Sequence, residues 1–230
     1  MKIAFFGDSI TAGMPGTSYF NMLCTLLPDH ELVNFARGGD SVIGAHERTS
    51  KLKPSDSFDM AFLWIGTNDV FVKVSWTFPY IRKLMRQPWA KNMAEFKRYY
   101  CAILDNLHHR AEHVYAVSPW FVGEDVNNEW NMELEKLSAE VKSLSSTYKN
   151  VSYLDIRERF KSKLEVQRIS NYVAKSALAV ARDALMLKNL EQVNQRSSQR
   201  GLHYTLDGVH LNEQGAEIIA RAFTEVINKT

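Results

Sequence analysis

Five short apolar runs, separated by amphipathic stretches, constrain this chain more than any other feature. They are "KIAFF" (2–6), "ELVNF" (31–35), "MAFLWI" (60–65), "HVYAVS" (113–118) and "VSYLDI" (151–156). Each is rich in β-branched or aromatic residues and too short for a helix, which suits strands buried on both faces. Helical patterns occupy about 18–27, 89–109 and 131–148. A last helix is expected at about 212–228, with Ile218, Ile219, Ala222, Phe223 and Val226 as its inward stripe. Strands alternating with helices imply a parallel sheet with crossover connections in a doubly wound α/β fold. Five strands point to the flavodoxin-like order 2-1-3-4-5. The 230 residues suit one such domain, 1–230, and no repeat or linker divides it.

Two segments exceed a minimal design of this kind. Residues 70–89, "VFVKVSWTFPYIRKLMRQPW", are apolar and aromatic where a short loop would do. Residues 160–200 form a long helical pattern ending in "NQRSSQR", and its centre, "VAKSALAVARDALMLKNL", is apolar on more than one face. A long connection in a compact domain is often functional, and a helix apolar on several sides wants more than one neighbour. The helical insertion at 160–200 therefore reads as extra core, as a lid, or as a contact in a homo-oligomer.

Composition narrows the functional classes. The net charge is only +2, a mild excess that argues against nucleic acid as a main partner, since such proteins usually concentrate basic residues in a patch. The most basic stretch, "RERFKSK" (157–163), includes Glu158 and reads as a solvated helix face. Cys24 and Cys101 form no CxxC pair, so neither a zinc site nor a disulfide framework is signalled, and both read as buried thiols. "MKIAFFGDS" lacks the pattern of a signal peptide, and no apolar run approaches the roughly 18 residues of a membrane span. A cytoplasmic protein without stable membrane insertion is expected.

In a parallel sheet with crossover helices, strand C-termini and helix N-termini share one edge, and ligands bind outside it. Four polar segments fall there. Ser9 follows the first strand, and "NFARGGDS" (34–41) follows the second. "GTND" (66–69) follows the third, and "DGVHLN" (207–212) precedes the last helix. The same test removes a decoy: Asp105 and His108 share the Asp-x-x-His spacing of Asp207 and His210 but fall at the opposite edge. A serine hydroxyl needs an adjacent base to become a nucleophile, and a neutral imidazole suits that task. A carboxylate three residues before it in a turn can fix its tautomer. The Ser9 amide, the Gly39 amide and the Asn68 carboxamide can converge on an oxyanion.

The segments "GDSIT", "GGDS", "GTND" and "DGVH" resemble, in order, the four signature blocks of SGNH hydrolases, the GDSL-type esterases and lipases. They span residues 7 to 210. The resemblance implies an α/β/α sandwich and hydrolysis of a small-molecule ester without a cofactor or metal. It also implies a nucleophile at Ser9, oxyanion donors at Ser9, Gly39 and Asn68, and a base at His210 oriented by Asp207. "GDSI" stands where the family has "GDSL", a change that touches no catalytic atom. Trp76, Phe78, Trp120 and Phe121 lie at the functional edge and are candidate substrate-binding residues or core. Some alternatives stay open from the residues themselves: Ser9 as a helix N-cap, Asn68 as a turn residue, His203 as a competing base. Asp8, Asp40 and Asp69 read as braces of their turns. An acyltransferase using the same site, or a non-catalytic flavodoxin-like binding module, are the other functions compatible with the sequence.

Overall fold

The five apolar runs pair, all parallel, in the order β2-β1-β3-β4-β5. The computed structural model describes residues 1–165, 170–187 and 189–230. Along the chain the elements are β1 (Lys2–Gly7), α1 (Ser9–Ala12), α2 (Tyr19–Leu26), β2 (Glu31–Asn34), α3 (Val42–Thr49), β3 (Phe58–Trp64), α4 (Thr67–Phe71) and α5 (Thr77–Leu84). They continue as α6 (Met93–His108), β4 (Ala111–Val117), α7 (Glu129–Ser145), β5 (Val151–Leu154), α8 (Glu158–Glu165), α9 (Ala177–Met186), α10 (Leu190–Gln199) and α11 (Glu213–Ile227). Helices flank the sheet, with α11 packed on α2 and α3 packed on α6. Burial on both faces holds for β1 and β3 but not for β2 and β5, which are largely half-exposed. Those two are the edge strands, where the sheet runs out of neighbours.

An aromatic cluster fixes the last helix over the sheet. Phe5, Phe62 and Tyr115 stack across β1, β3 and β4, with ring centroids 5.1 and 4.9 Å apart. Phe223 of α11 packs edge-on to Phe62 at 4.8 Å and stacks on Tyr19 of α2 at 5.3 Å. This seats α11 across the central strands. Its N-terminus, capped by Asn212 accepting from the Gly215 N–H, then rises beside the C-terminal end of β1.

The 160–200 pattern is not one helix. The described residues form α8, α9 and α10, with a non-helical stretch from 170 to 176. Residues 166–169 and Lys188 lie outside the described residues. The break is set by contacts far along the chain. The Ala174 N–H donates to the Asp207 carbonyl at 2.9 Å, and Ser170 Oγ donates to the Arg200 carbonyl at 2.7 Å. The Ala174 N–H, which would otherwise close a helix, is committed to the Asp207 turn, and the Ser170 hydroxyl to the end of α10. Phe160, Leu164 and Val173 do join the core, but α9 buries no apolar residue in it. Asp183 is the one residue of α9 that is buried, while Leu178, Leu185 and Met186 are exposed.

Candidate active site

β1 ends at Gly7, where a Cβ would meet Thr11 Oγ1 at 2.3 Å, so only glycine lets the chain turn this tightly into α1. Asp8 caps that short helix: its Oδ1 accepts from the Ile10 N–H at 2.9 Å. The cap is therefore Asp8 and not Ser9, and the Ser9 side chain is left to project from the edge of the sheet.

The second half of the site is the turn 207–210. Asp207 Oδ1 accepts from the N–H groups of Val209 and His210 at 3.0 and 2.9 Å, and its Oδ2 lies 2.7 Å from His210 Nδ1. Gly208 adopts φ +92°, and a Cβ there would strike the Tyr172 carbonyl at 2.8 Å. His210 Nε2 is 2.9 Å from Ser9 Oγ. With Nδ1–H donated to the carboxylate, Nε2 is the acceptor for the serine hydroxyl. All three residues are buried. Burial alone would raise the Asp207 carboxyl. The charge of His210 and the hydrogen bonds from its ring and backbone outweigh that and hold it below its ordinary range. For His210 burial favours the neutral ring, but the Asp207 charge outweighs it and raises the imidazole above 6.5.

Two further segments reach the same point. Asn68, in α4, donates through Nδ2 to Asp8 Oδ2 at 3.0 Å and to the Asp40 carbonyl at 2.9 Å. Gly39, at φ +75°, offers its carbonyl to Arg82 Nη2 at 2.8 Å. Burial pushes Asp8 up to about 6 against the opposing Ile10 hydrogen bond. Asp69, whose carboxylate accepts from Ala90 and Val42, is likewise raised by burial to about 6. Ser9, Gly38, Gly39, Asn68 and His210 share a cavity of about 310 Å³. Its remaining wall is mostly apolar, with Phe71, Val72, Phe78, Ile81 and Met85 on one side and α9 on the other.

A model of the GDSL-like Lipase/Acylhydrolase family matches residues 5–218. The chain belongs to this family. It is an SGNH-type serine carboxylic ester hydrolase. No curated protein sequence gives a significant match. Among solved structures, the acetylxylan esterase Axe2 from Geobacillus stearothermophilus superposes with a TM-score of 0.69 at 18% identity, over 97% of this chain and 92% of that one. The acetyl xylan esterase AlAXEase gives 0.65 at 20% identity, over 99% and 100%. LAE5, an alpha/beta hydrolase enzyme from the metagenome of Lake Arreo, Spain, gives 0.68 at 16% identity, over 96% and 92%. At these identities the likeness establishes the fold.

Of the aromatic residues expected to bind substrate in this GDSL-family esterase, only Phe78 lines the cavity. Trp76 is 87% exposed and outside it. Trp120 is buried against Trp64 and Phe160, and Phe121 lies beneath the Arg157 guanidinium at 4.2 Å. Position after a strand brings a residue to the correct edge, but the side chain's own direction decides whether it faces core or cavity. Arg157 itself is buried, so "RERFKSK" is not wholly a solvated face. Cys24 is exposed, because Tyr19, Phe20 and Leu23 take the inward face of α2. His203 lines a separate cavity with Asn194 and Glu213. Asp105 accepts from the Tyr148 hydroxyl at 2.7 Å, on the helix that leads into β4.

Three residues that the sequence reading did not single out hold the site of this esterase together. Glu124 is buried and accepts from the N–H groups of His203, Tyr204 and Thr205, each at 2.8 Å, which pins the chain just before the Asp207 turn. Arg200 donates to the Leu206 carbonyl at 2.9 Å and lies 2.7 Å from Asp183 of α9. Arg82 anchors the Gly39 loop to α5. Only Glu124 had a signal in the sequence: a carboxylate following Gly123 on the functional edge after β4.

Proposed function

We propose that Ser9 is the nucleophile of this esterase, His210 its general base and acid, and Asp207 the group that orients His210. The observation that carries this reading is the relay from Ser9 Oγ to His210 Nε2, 2.9 Å, and from His210 Nδ1 to Asp207 Oδ2, 2.7 Å. Ser9 Oγ attacks the ester carbonyl carbon as its proton passes to Nε2. The tetrahedral intermediate collapses, the C–O bond to the alcohol breaks, and the alcohol leaves with the proton from His210. Water, deprotonated by the same Nε2, then attacks the acyl-Ser9 carbonyl; the acyl–Oγ bond breaks, the acid leaves, and Nε2 returns the proton to Oγ.

The oxyanion is held by the Ser9 and Gly39 N–H groups and by Asn68 Nδ2. Asn68 already donates to Asp8 and to the Asp40 carbonyl, so it serves the oxyanion by sharing one of these hydrogens as negative charge develops. One such donor is worth roughly 3–4 kcal/mol in the transition state.

The acyl group enters the apolar cavity. An acetyl group fills a small part of 310 Å³, and the wall of Phe, Ile, Val and Met side chains favours a longer aliphatic or aryl acyl chain. Deacetylation of a carbohydrate is the second reading, favoured by the names of Axe2 and AlAXEase. A profile over p-nitrophenyl esters of rising chain length, beside acetylated xylan, separates the two. Residues 1–230 are read as one domain, because the turn that carries Asp207 and His210 closes on the end of β1. A fluorophosphonate probe tests the nucleophile: peptide mapping is expected to find it on Ser9, and labelling elsewhere rejects the assignment.

A further inference from the structure

Helices α5 and α9 both wall the cavity, through Phe78, Ile81 and Met85 on one and Ala177, Ala181 and Ala184 on the other. Beside these stripes, large apolar side chains meet solvent. Leu84 of α5 is 77% exposed, and Leu178 and Leu185 of α9 are 81% and 70% exposed. Leu178 and Leu185 each follow an alanine of the cavity stripe. One residue is about 100° of helical turn, so both leucines stand at the solvent edge of that stripe. Met14 and Met85, which line the cavity, are themselves largely exposed. Apolar side chains gathered around one opening mark a surface that meets something other than water.

Charge indicates what that is. Residues 70–91 contain no Asp or Glu, and Lys83 and Arg86 among them are exposed. Residues 170–187 contain one acid, Asp183, which is buried against Arg200, while Lys175 and Arg182 are exposed. The rim is thus apolar and positive, with no exposed carboxylate from either segment. Two copies meeting through this rim would bring like charges together. A layer of acyl chains under anionic head groups meets both properties at once.

We propose that the α5–α9 rim docks on an anionic lipid surface. Leu84, Leu178 and Leu185 enter the apolar layer, and Lys83, Arg86 and Arg182 meet the head-group phosphates. The cavity mouth then opens onto the lipid, and the substrate is an ester of a fatty acid presented there. That last step rests on the triad proposed above; docking itself does not.

The test uses Ser9→Ala protein, so that binding is read without turnover. It is sedimented with phosphatidylcholine vesicles, or with vesicles containing about one-third phosphatidylglycerol. Binding is expected on the anionic vesicles, falling several-fold as salt is raised through roughly 0.5 M. A Leu178→Ser/Leu185→Ser variant and a Lys83→Glu/Arg182→Glu variant are each expected to bind at least about ten-fold more weakly. Placed in the wild-type background, the same changes should leave hydrolysis of a soluble short ester unchanged, because none of these residues lines the cavity. No vesicle binding, equal binding to neutral vesicles, or binding indifferent to both variants overturns the proposal. So does a dimer in sedimentation velocity that the leucine variant dissolves while vesicles stay unbound, which would assign the rim to a second copy. Failure of the triad shows separately, as ester hydrolysis surviving Ser9→Ala.

Discussion

On the sheet side of the cavity, Asp207 is 1% exposed and accepts three hydrogen bonds within its own turn, while Asn68 is tied to two neighbouring loops. On the helical side, α9 buries one residue of ten and presents alanines to the cavity. The first region is fixed by directional bonds in a water-poor setting, where each group has one acceptable position. The second buries little and is held at a few points, such as Asp183 to Arg200, so it tolerates changes of size. Under the proposed roles the two regions do different work: the sheet side sets the rate of bond breaking, and the helical side sets which ester arrives.

The largest expected effect is on the sheet side. Ser9→Ala should lower kcat on a short p-nitrophenyl ester by about 10⁴-fold or more while leaving the melting temperature nearly unchanged. Activity within about ten-fold of wild type would remove Ser9 from the chemistry. Asn68→Ala comes next, with kcat expected to fall by roughly 10²–10³ and KM little altered. It also leaves Asp8 Oδ2 without its partner in a buried place, so a loss of about 1–3 kcal/mol in denaturant unfolding should accompany it. A rise in KM with kcat preserved would move Asn68 from the oxyanion to ground-state binding.

The same contrast explains what the sequence revealed. The sheet order was legible because alternating apolar runs leave few topologies, and the edge rule then gathered Ser9, Asn68, Asp207 and His210 from distant positions. Asp207 and His210 sit in a turn, and Ser9 and Asn68 in the first turn of short helices, with geometry set by local chemistry: a glycine before Asp8, a glycine after Asp207. The wall was not legible. Its helices are placed by long-range bonds, such as Ala174 to Asp207 and Arg200 to Asp183, that leave no periodic trace. An apolar pattern at 173–190 reads the same whether it faces core, cavity or solvent, and aromatics that follow a strand leave the same choice open: Phe78 faces the cavity, Trp120 and Phe121 the core, and Trp76 solvent.

Changes to the wall should therefore act on selection. Val180→Phe narrows the cavity beside Ser9. The ratio of kcat/KM for an eight-carbon ester to that for acetate is expected to fall by about 10–200-fold, with acetate hydrolysis nearly constant. A uniform loss on all esters would place Val180 with the catalytic side. The effect of pH belongs to the sheet side alone. As the proposed base, His210 must be neutral to accept the serine proton, and Asp207 raises it above 6.5. kcat/KM should thus fall about ten-fold per unit of pH on the acid side, with a midpoint above 6.5 for every chain length. The sign for stability is opposite. The protonated ring is favoured by the fold, so its contribution is complete below pH 6.5 and is lost as pH rises through the elevated value.

The smallest expected change tests where the two regions join. Asp183 is the buried residue of α9, and its partner Arg200 also holds the Leu206 carbonyl, one residue before Asp207. This pair is the route by which the wall is fastened to the Asp207 turn. Asp183→Asn leaves the Arg200 charge poorly matched in a buried setting, which loosens α9 first because Arg200 keeps its bond to the turn. It also removes a negative charge that helps to raise His210. The acid limb should move to lower pH, and discrimination between long and short esters should weaken. Acetate hydrolysis on the alkaline plateau of the pH profile should stay within about three-fold of wild type. A loss on acetate as large as that on the long ester would mean that the wall and the triad are one cooperative unit. The division of work between them would then have no physical basis.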